Sequence, residues 1–101
     1  MIYLSRRDLN VMSELEERLR REIEKWSRRL DRSLRGTIAT CERGREILEN
    51  ARAYASDSKH FLDKGDLIRA FECLVWAWAW LEIGKELDLL KGAQSNTREA
   101  F

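Results

Sequence analysis

Asp57, His60 and Asp63 stand at i, i+3 and i+6 in the stretch SDSKHFLDKGD, and His60 is the chain's one histidine. A histidine between two carboxylates is a donor set that could hold a divalent metal. On a helix, however, three positions so spaced fan out around the axis, and no second cluster completes a tetrahedral site. They read as a solvated face, with no metal and no cofactor. Cys41 and Cys73 are far apart and form no CxxC pair. Both fall among apolar residues of helical pattern, where a free cysteine behaves as a small hydrophobe. The expected compartment is therefore reducing and cytoplasmic. A two-helix ribonuclease motif would set an arginine closer to its histidine than Arg52 stands to His60, with seven residues between. No nucleophile–base set, phosphate-cradling glycine loop or paired carboxylates stand out either. No catalytic residue is assigned, and neither an enzyme nor a small-molecule substrate is expected.

Charge offers a second kind of chemistry. The net charge of +1 gives no global field for nucleic acid or membrane. Residues 18–35 nevertheless hold eight basic groups against three acidic ones. Arg21, Arg28 and Arg32 are the candidate phosphate contacts of that segment, which makes an RNA-associated role the second reading of the chain. The competing explanation is a solvated helix face with ion pairs one turn apart. The longest apolar run, CLVWAWAWL, is about half a membrane span, so no membrane partner is expected.

These groups must be carried by helices. The chain has 101 residues, no proline and five glycines, with 37% charged and 44% hydrophobic residues. That mixture favours long helices in a single domain over residues 1–91. Ser5 and Asp8 form one capping signature and Ser13-Glu14-Leu15-Glu16 offers another. From there Leu9, Met12, Leu15, Leu19, Ile23, Trp26, Leu30 and Leu34 recur at spacings of three and four, predicting a first helix over about 6–34. Gly36 is its stop and Thr37 the next cap. A second helix is expected over 38–63 and a third over 67–91, joined by Lys64-Gly65-Asp66, where Gly65 can turn left-handed and Asp66 can cap. Residues 92–101 are expected to fray.

Short connections predict an all-α, up-down-up antiparallel three-helix bundle. A turn centred on Lys64-Gly65 places facing residues of the second and third helices at numbers summing to about 128. Ser58 then meets Ala70, Ala51 meets Ala77 and Gly44 meets Gly84, a ladder of small residues that lets the two backbones approach closely.

The stretch YASDSKHFLDKGDLIRAFECLVWAWAWLEIG carries Tyr54, Asp57, Phe61-Leu62, Lys64-Gly65-Asp66, Ala70 and Ala77. In these it resembles an archaeal family known only as domain of unknown function 357, with Ser58 where an alanine is usual. The resemblance implies a helical bundle and transfers no catalytic residue. The same positions are also similar to one tetratricopeptide unit, but no second copy follows, and a solenoid needs about three.

Three tryptophans at alternate positions of the third helix point to its two sides. Leu67, Phe71, Leu74, Trp78 and Leu81 lie on one side of the Ala70–Ala77–Gly84 line, and Trp76, Trp80, Ile83, Leu87 and Leu90 on the other. The first helix has one apolar stripe and can cover one of them. The second set is expected to face a protein partner, most simply another copy of the chain.

Overall fold

The computed structural model describes residues 3–92. Its elements in order are α1 (Arg6–Arg35), β1 (Thr37–Ala39), α2 (Glu42–Asp63), α3 (Leu67–Glu86) and β2 (Leu90–Gly92). The three helices form the all-α bundle, elongated at 56 × 25 × 19 Å. Helix α1 starts at the first of its two signatures. The Ser5 side chain accepts from the Asp8 N–H at 3.1 Å, and the Asp8 carboxylate accepts from the Ser5 N–H at 3.2 Å. Two of the orphan donors at the helix start are thereby satisfied reciprocally.

The turn between α2 and α3 follows the glycine rule. Gly65 sits at φ 78°, its N–H reaching the Leu62 carbonyl and the Asp66 N–H the Phe61 carbonyl. Both bonds belong to a Schellman motif. Asp66 then caps α3 by accepting from the Arg69 N–H at 3.1 Å.

The other end differs from expectation. Residues 37–39 are not the first turn of a second helix, and residues 87–91 do not continue the third. Thr37–Ala39 and Leu90–Gly92 pair as antiparallel strands, Ile38 opposite Lys91. The Thr40 N–H extends the ladder to the Leu89 carbonyl at 3.0 Å, and its hydroxyl donates to the Asp88 carbonyl at 2.8 Å. Thr37 caps nothing ahead of it, since its hydroxyl donates back to the Ser33 carbonyl at 2.7 Å. Cys41 takes the capping role, its Sγ accepting from the Gly44 N–H at 3.4 Å. The thiol is therefore exposed at a helix start, not packed on an apolar face. Helix α3 ends in a second Schellman motif, with Asp88 at φ 60° and the Asp88 and Leu89 N–H groups on the Lys85 and Gly84 carbonyls. Of residues 92–101, expected to fray, Gly92 pairs within β2 instead, and 93–101 lie outside the described residues.

The core runs from Ile23, Leu30 and Leu34 of α1 through Ile47, Leu48, Ala51 and Ala55 of α2 to Leu74, Trp78 and Leu81 of α3. Trp26 meets Trp78 edge-on, ring centroids 6.0 Å apart at 85°. Such T-shaped pairs add about 0.5–1.5 kcal/mol beyond burial. Polar clasps tie α1 to both neighbours, Lys59 to Asp31 at 2.8 Å and Lys85 to Ser33 at 3.4 Å.

Candidate interaction surface

The small-residue line is buried throughout: Gly44, Ala51, Ser58, Ala70, Ala77 and Gly84 are all inaccessible. At its turn end the register is direct, because the Ser58 hydroxyl donates to the Ala70 carbonyl at 2.7 Å. At its far end Gly44 does not face Gly84. A methyl group added at Gly44 would overlap the Leu89 carbonyl, and one at Gly84 would overlap the Leu90 side chain at 2.5 Å. The space cleared by both glycines is filled by the chain returning through β2.

That return also corrects one member of the outward stripe. Leu90 is 3% exposed and packs over Gly84, because β2 turns it inward where a continued helix would have turned it out. Trp76, Trp80 and Ile83 stand on α3, and Leu87 is its C-cap. Trp76 is 54% exposed, Ile83 49% and Leu87 61%. Trp80 is partly covered against the core, and its indole N–H is enclosed without an acceptor among the described residues. Trp76 stacks on Tyr54 of α2 with centroids 6.1 Å apart, forming a flat aromatic rim along the hairpin. Ile68 and Val75 are exposed as well. The two-stripe reading missed them because both lie between its stripes, on the side opposite Ala77. On the α1 side Leu74, Trp78 and Leu81 are buried, Leu67 is partly covered and Phe71 is exposed.

Phe71 is uncovered near the level where α1 begins to leave the bundle. Every residue from Tyr3 to Arg18 is exposed, and burial on α1 starts at Leu19. The first 13 residues of α1 thus form an arm of about 20 Å. It carries Leu9, Met12 and Leu15 in line with the stripe that farther on becomes core. The signal was in the lengths: α1 has 30 residues, α2 has 22 and α3 has 20.

The polar candidates fall on ordinary surfaces. Arg21 lies 3.6 Å from Glu17 and Lys25 3.2 Å from Glu22. Arg29 and Lys25 flank the Trp26 ring at 4.7 and 5.7 Å. Arg28 and Arg32 are exposed along the same edge of α1 as Arg21. His60 is exposed and meets the Phe61 ring edge-on. Among the described residues no group of three or more His, Cys, Asp or Glu could hold a metal ion. Cys41 and Cys73 are both free. Burial pushes the Cys73 thiol up, and the Asp57 and Glu72 carboxylates push the same way, so this sulfur resists becoming a thiolate nucleophile. Among the described residues no helix is long and apolar enough to cross a membrane.

A family model described as a protein of unknown function, DUF357, matches residues 15–90. No curated protein matches the sequence. Among solved structures the chain is similar to protein AF1782 from Archaeoglobus fulgidus, whose crystal structure carries the same family description. The two are 50% identical with a TM-score of 0.71, over 77% of this chain and 97% of that one.

Proposed function

The chain belongs to the DUF357 family, whose description assigns no activity, and from that premise we propose that it is a non-catalytic interaction module. Its contact surface is the outer face of α3, centred on Trp76, Ile83 and Leu87 with the edge of Trp80, and its partner is a second copy of the chain. The observation that carries the reading is the exposure of Ile68, Phe71, Val75, Trp76 and Ile83 on α3 and of Leu87 at its C-cap. These apolar groups are interspersed with the exposed Arg69, Glu72, Glu82 and Glu86, and exposed apolar surface rimmed by polar residues marks association sites. The stacked Tyr54–Trp76 pair supplies rigid aromatic area of the kind that dominates interface energetics. The basic edge of α1 has weaker support as an RNA contact, because Arg21 and Lys25 already face Glu17 and Glu22.

Light scattering at micromolar concentration tests the reading. The native chain is expected above monomer mass, and Trp76→Glu should lower that mass while leaving the far-ultraviolet circular dichroism unchanged. A native monomer, or a Trp76→Glu variant of unaltered mass, overturns it.

A further inference from the structure

The reverse side of α1 is a charged surface that self-association through α3 does not use. Ile23, Leu30 and Leu34 mark the side of α1 that faces the core. At about 100° per residue, the opposite sector, roughly 120° wide, takes in Arg18, Arg21, Lys25, Arg28, Arg29, Arg32 and Arg35 between positions 18 and 35. Every residue of that stretch within the sector is basic. Arg18, Arg21, Arg28, Arg32 and Arg35 are exposed, and Lys25 and Arg29 are half-buried where they flank the Trp26 ring. The acidic residues of the same stretch, Glu22, Glu24 and Asp31, fall on the two borders of the sector and never within it. A face that needs only to be wetted has no cause to exclude acids, and this one excludes them over about 26 Å of helix.

The stretch 18–35 holds eight basic groups against three acidic, a balance of +5, so the rest of the chain carries −4 within the net +1. Positive potential is therefore concentrated on one face and not spread over the molecule. The pairs Glu17–Arg21 and Glu22–Lys25 do not cancel it, because exposed pairs one turn apart are weak. Arg18, Arg28 and Arg35 make no ion pair among the described residues. Two features choose the polyanion. The face holds no apolar residue, whereas a protein interface is built on an apolar centre and a membrane-bound helix on an inserted apolar side. The aromatic beside it, Trp26, is packed edge-on with Trp78 and flanked by Arg29, so it offers no platform for the unstacked bases of a single strand. We propose that this face binds double-stranded nucleic acid through its phosphates. Arg18–Lys25–Arg32 and Arg21–Arg28–Arg35 form two adjacent rows along the helix, with steps of about 10.5 Å. Two lines of positive charge are thereby set against the two backbones that border a groove. Contacts of this kind position a duplex without reading its sequence.

Fluorescence anisotropy of the full chain with a labelled RNA duplex, and with the DNA duplex of the same sequence, tests the proposal. Six phosphate contacts predict that the logarithm of the binding constant falls against the logarithm of salt concentration with a slope of about −5. Affinity should then drop about thousandfold between roughly 50 and 200 mM salt, and the tighter of the two duplexes identifies the source of the phosphates. Arg18→Gln, Arg28→Gln and Arg35→Gln should each reduce the slope by about 1 and together bring it near −3, roughly, with the far-ultraviolet circular dichroism unchanged. Arg69→Gln, the same change of charge on α3, should leave the slope as it is. Failure to bind either duplex at the lower salt overturns the proposal, as does a triple variant that keeps the native slope or an Arg69→Gln variant that loses as much. A single strand of the same sequence held as tightly as the duplex also overturns it. So does retention on phosphatidylserine vesicles or polyglutamate in place of the duplex.

Discussion

The two ends of this bundle treat the same kind of surface in opposite ways. At the turn end α1 outruns the hairpin, and the stripe Leu9–Met12–Leu15 is left in solvent. At the ladder end the same helix buries Ile23, Leu30 and Leu34, while β1 and β2 fold the chain back over the hairpin. The apolar residues recur at spacings of three and four in both halves of α1. What differs is the length of the partner, since a stripe is buried only where another element lies opposite it. Periodicity therefore reports which face would be buried, and neighbouring lengths decide how much of it is.

The largest expected effect breaks that comparison directly. Leu30 is 1% exposed and Leu15 57% exposed, on one stripe of one helix. Leu30→Ala should cost about 2–5 kcal/mol of stability through lost transfer energy and a residual cavity. Leu15→Ala should stay within about 0.5 kcal/mol in the monomer. Urea unfolding of both variants at low protein concentration measures the difference. Similar losses would mean that the arm is folded against the body in solution.

A smaller effect sharpens the contrast along the hairpin. At the turn end Ser58 and Ala70 meet directly, whereas at the ladder end Gly44 receives the Leu89 carbonyl. Backbone at that site is held in place, because the same carbonyl accepts from the Thr40 N–H. Gly44→Ala should therefore cost about 1–3 kcal/mol or more by overpacking. Gly84→Ala should cost less, since it meets mainly the flexible end of Leu90, which can shift. Chemical denaturation midpoints of the two variants rank them. Equal losses would show that the ladder yields as easily as a side chain.

Much of this was legible in the residues. The Ser5 cap, the Gly65 turn and the Ser58–Ala70 register each rest on a rule that nothing distant overrides, and the α1 stripe gives the face of the helix though not how much of it is buried. The ladder was not legible, because a three-residue strand has no periodicity of its own and Thr37–Ala39 is extended only because Leu90–Gly92 returns beside it. The spacing puts Leu90 on the outer stripe for the same reason, because it extends a helix that ends at Glu86. The capping role of Cys41 is hidden in its residue type, because helix N-caps favour serine, threonine, aspartate and asparagine. On the surface of α3, Trp76, Ile83 and Leu87 were found from spacing alone. The two stripes leave out Ile68 and Val75, which lie opposite Ala77 on the side that also carries Glu72, Glu82 and Glu86.

The end of α3 was hidden by its residue type, and that gives the smallest of the three effects. The same Schellman geometry closes α2 at Gly65 and α3 at Asp88, with φ 78° and 60°. Glycine takes this conformation at little steric cost, whereas an L-residue with a Cβ sacrifices about 1–2 kcal/mol. Aspartate is among the residues that tolerate it best, which is why a helix can stop here without the usual signal. The hydrogen bonds of Asp88 are made by its backbone: its N–H donates to the Lys85 carbonyl, and its carbonyl accepts from the Thr40 hydroxyl. Asp88→Gly keeps both and relieves the Cβ strain, against the greater freedom that glycine gives the unfolded chain. The net gain should be roughly 0.5–1 kcal/mol, seen as a rise in Tm of a few degrees for a domain of this size. The reciprocal change, Gly65→Asp, should lower Tm by a similar amount, because beyond its own chain neighbours nothing crowds a Cβ placed there and only the backbone conformation opposes it. A fall in Tm for Asp88→Gly would mean that the aspartate side chain itself holds the ladder end closed, and the two helix ends would then be alike in geometry but not in cause.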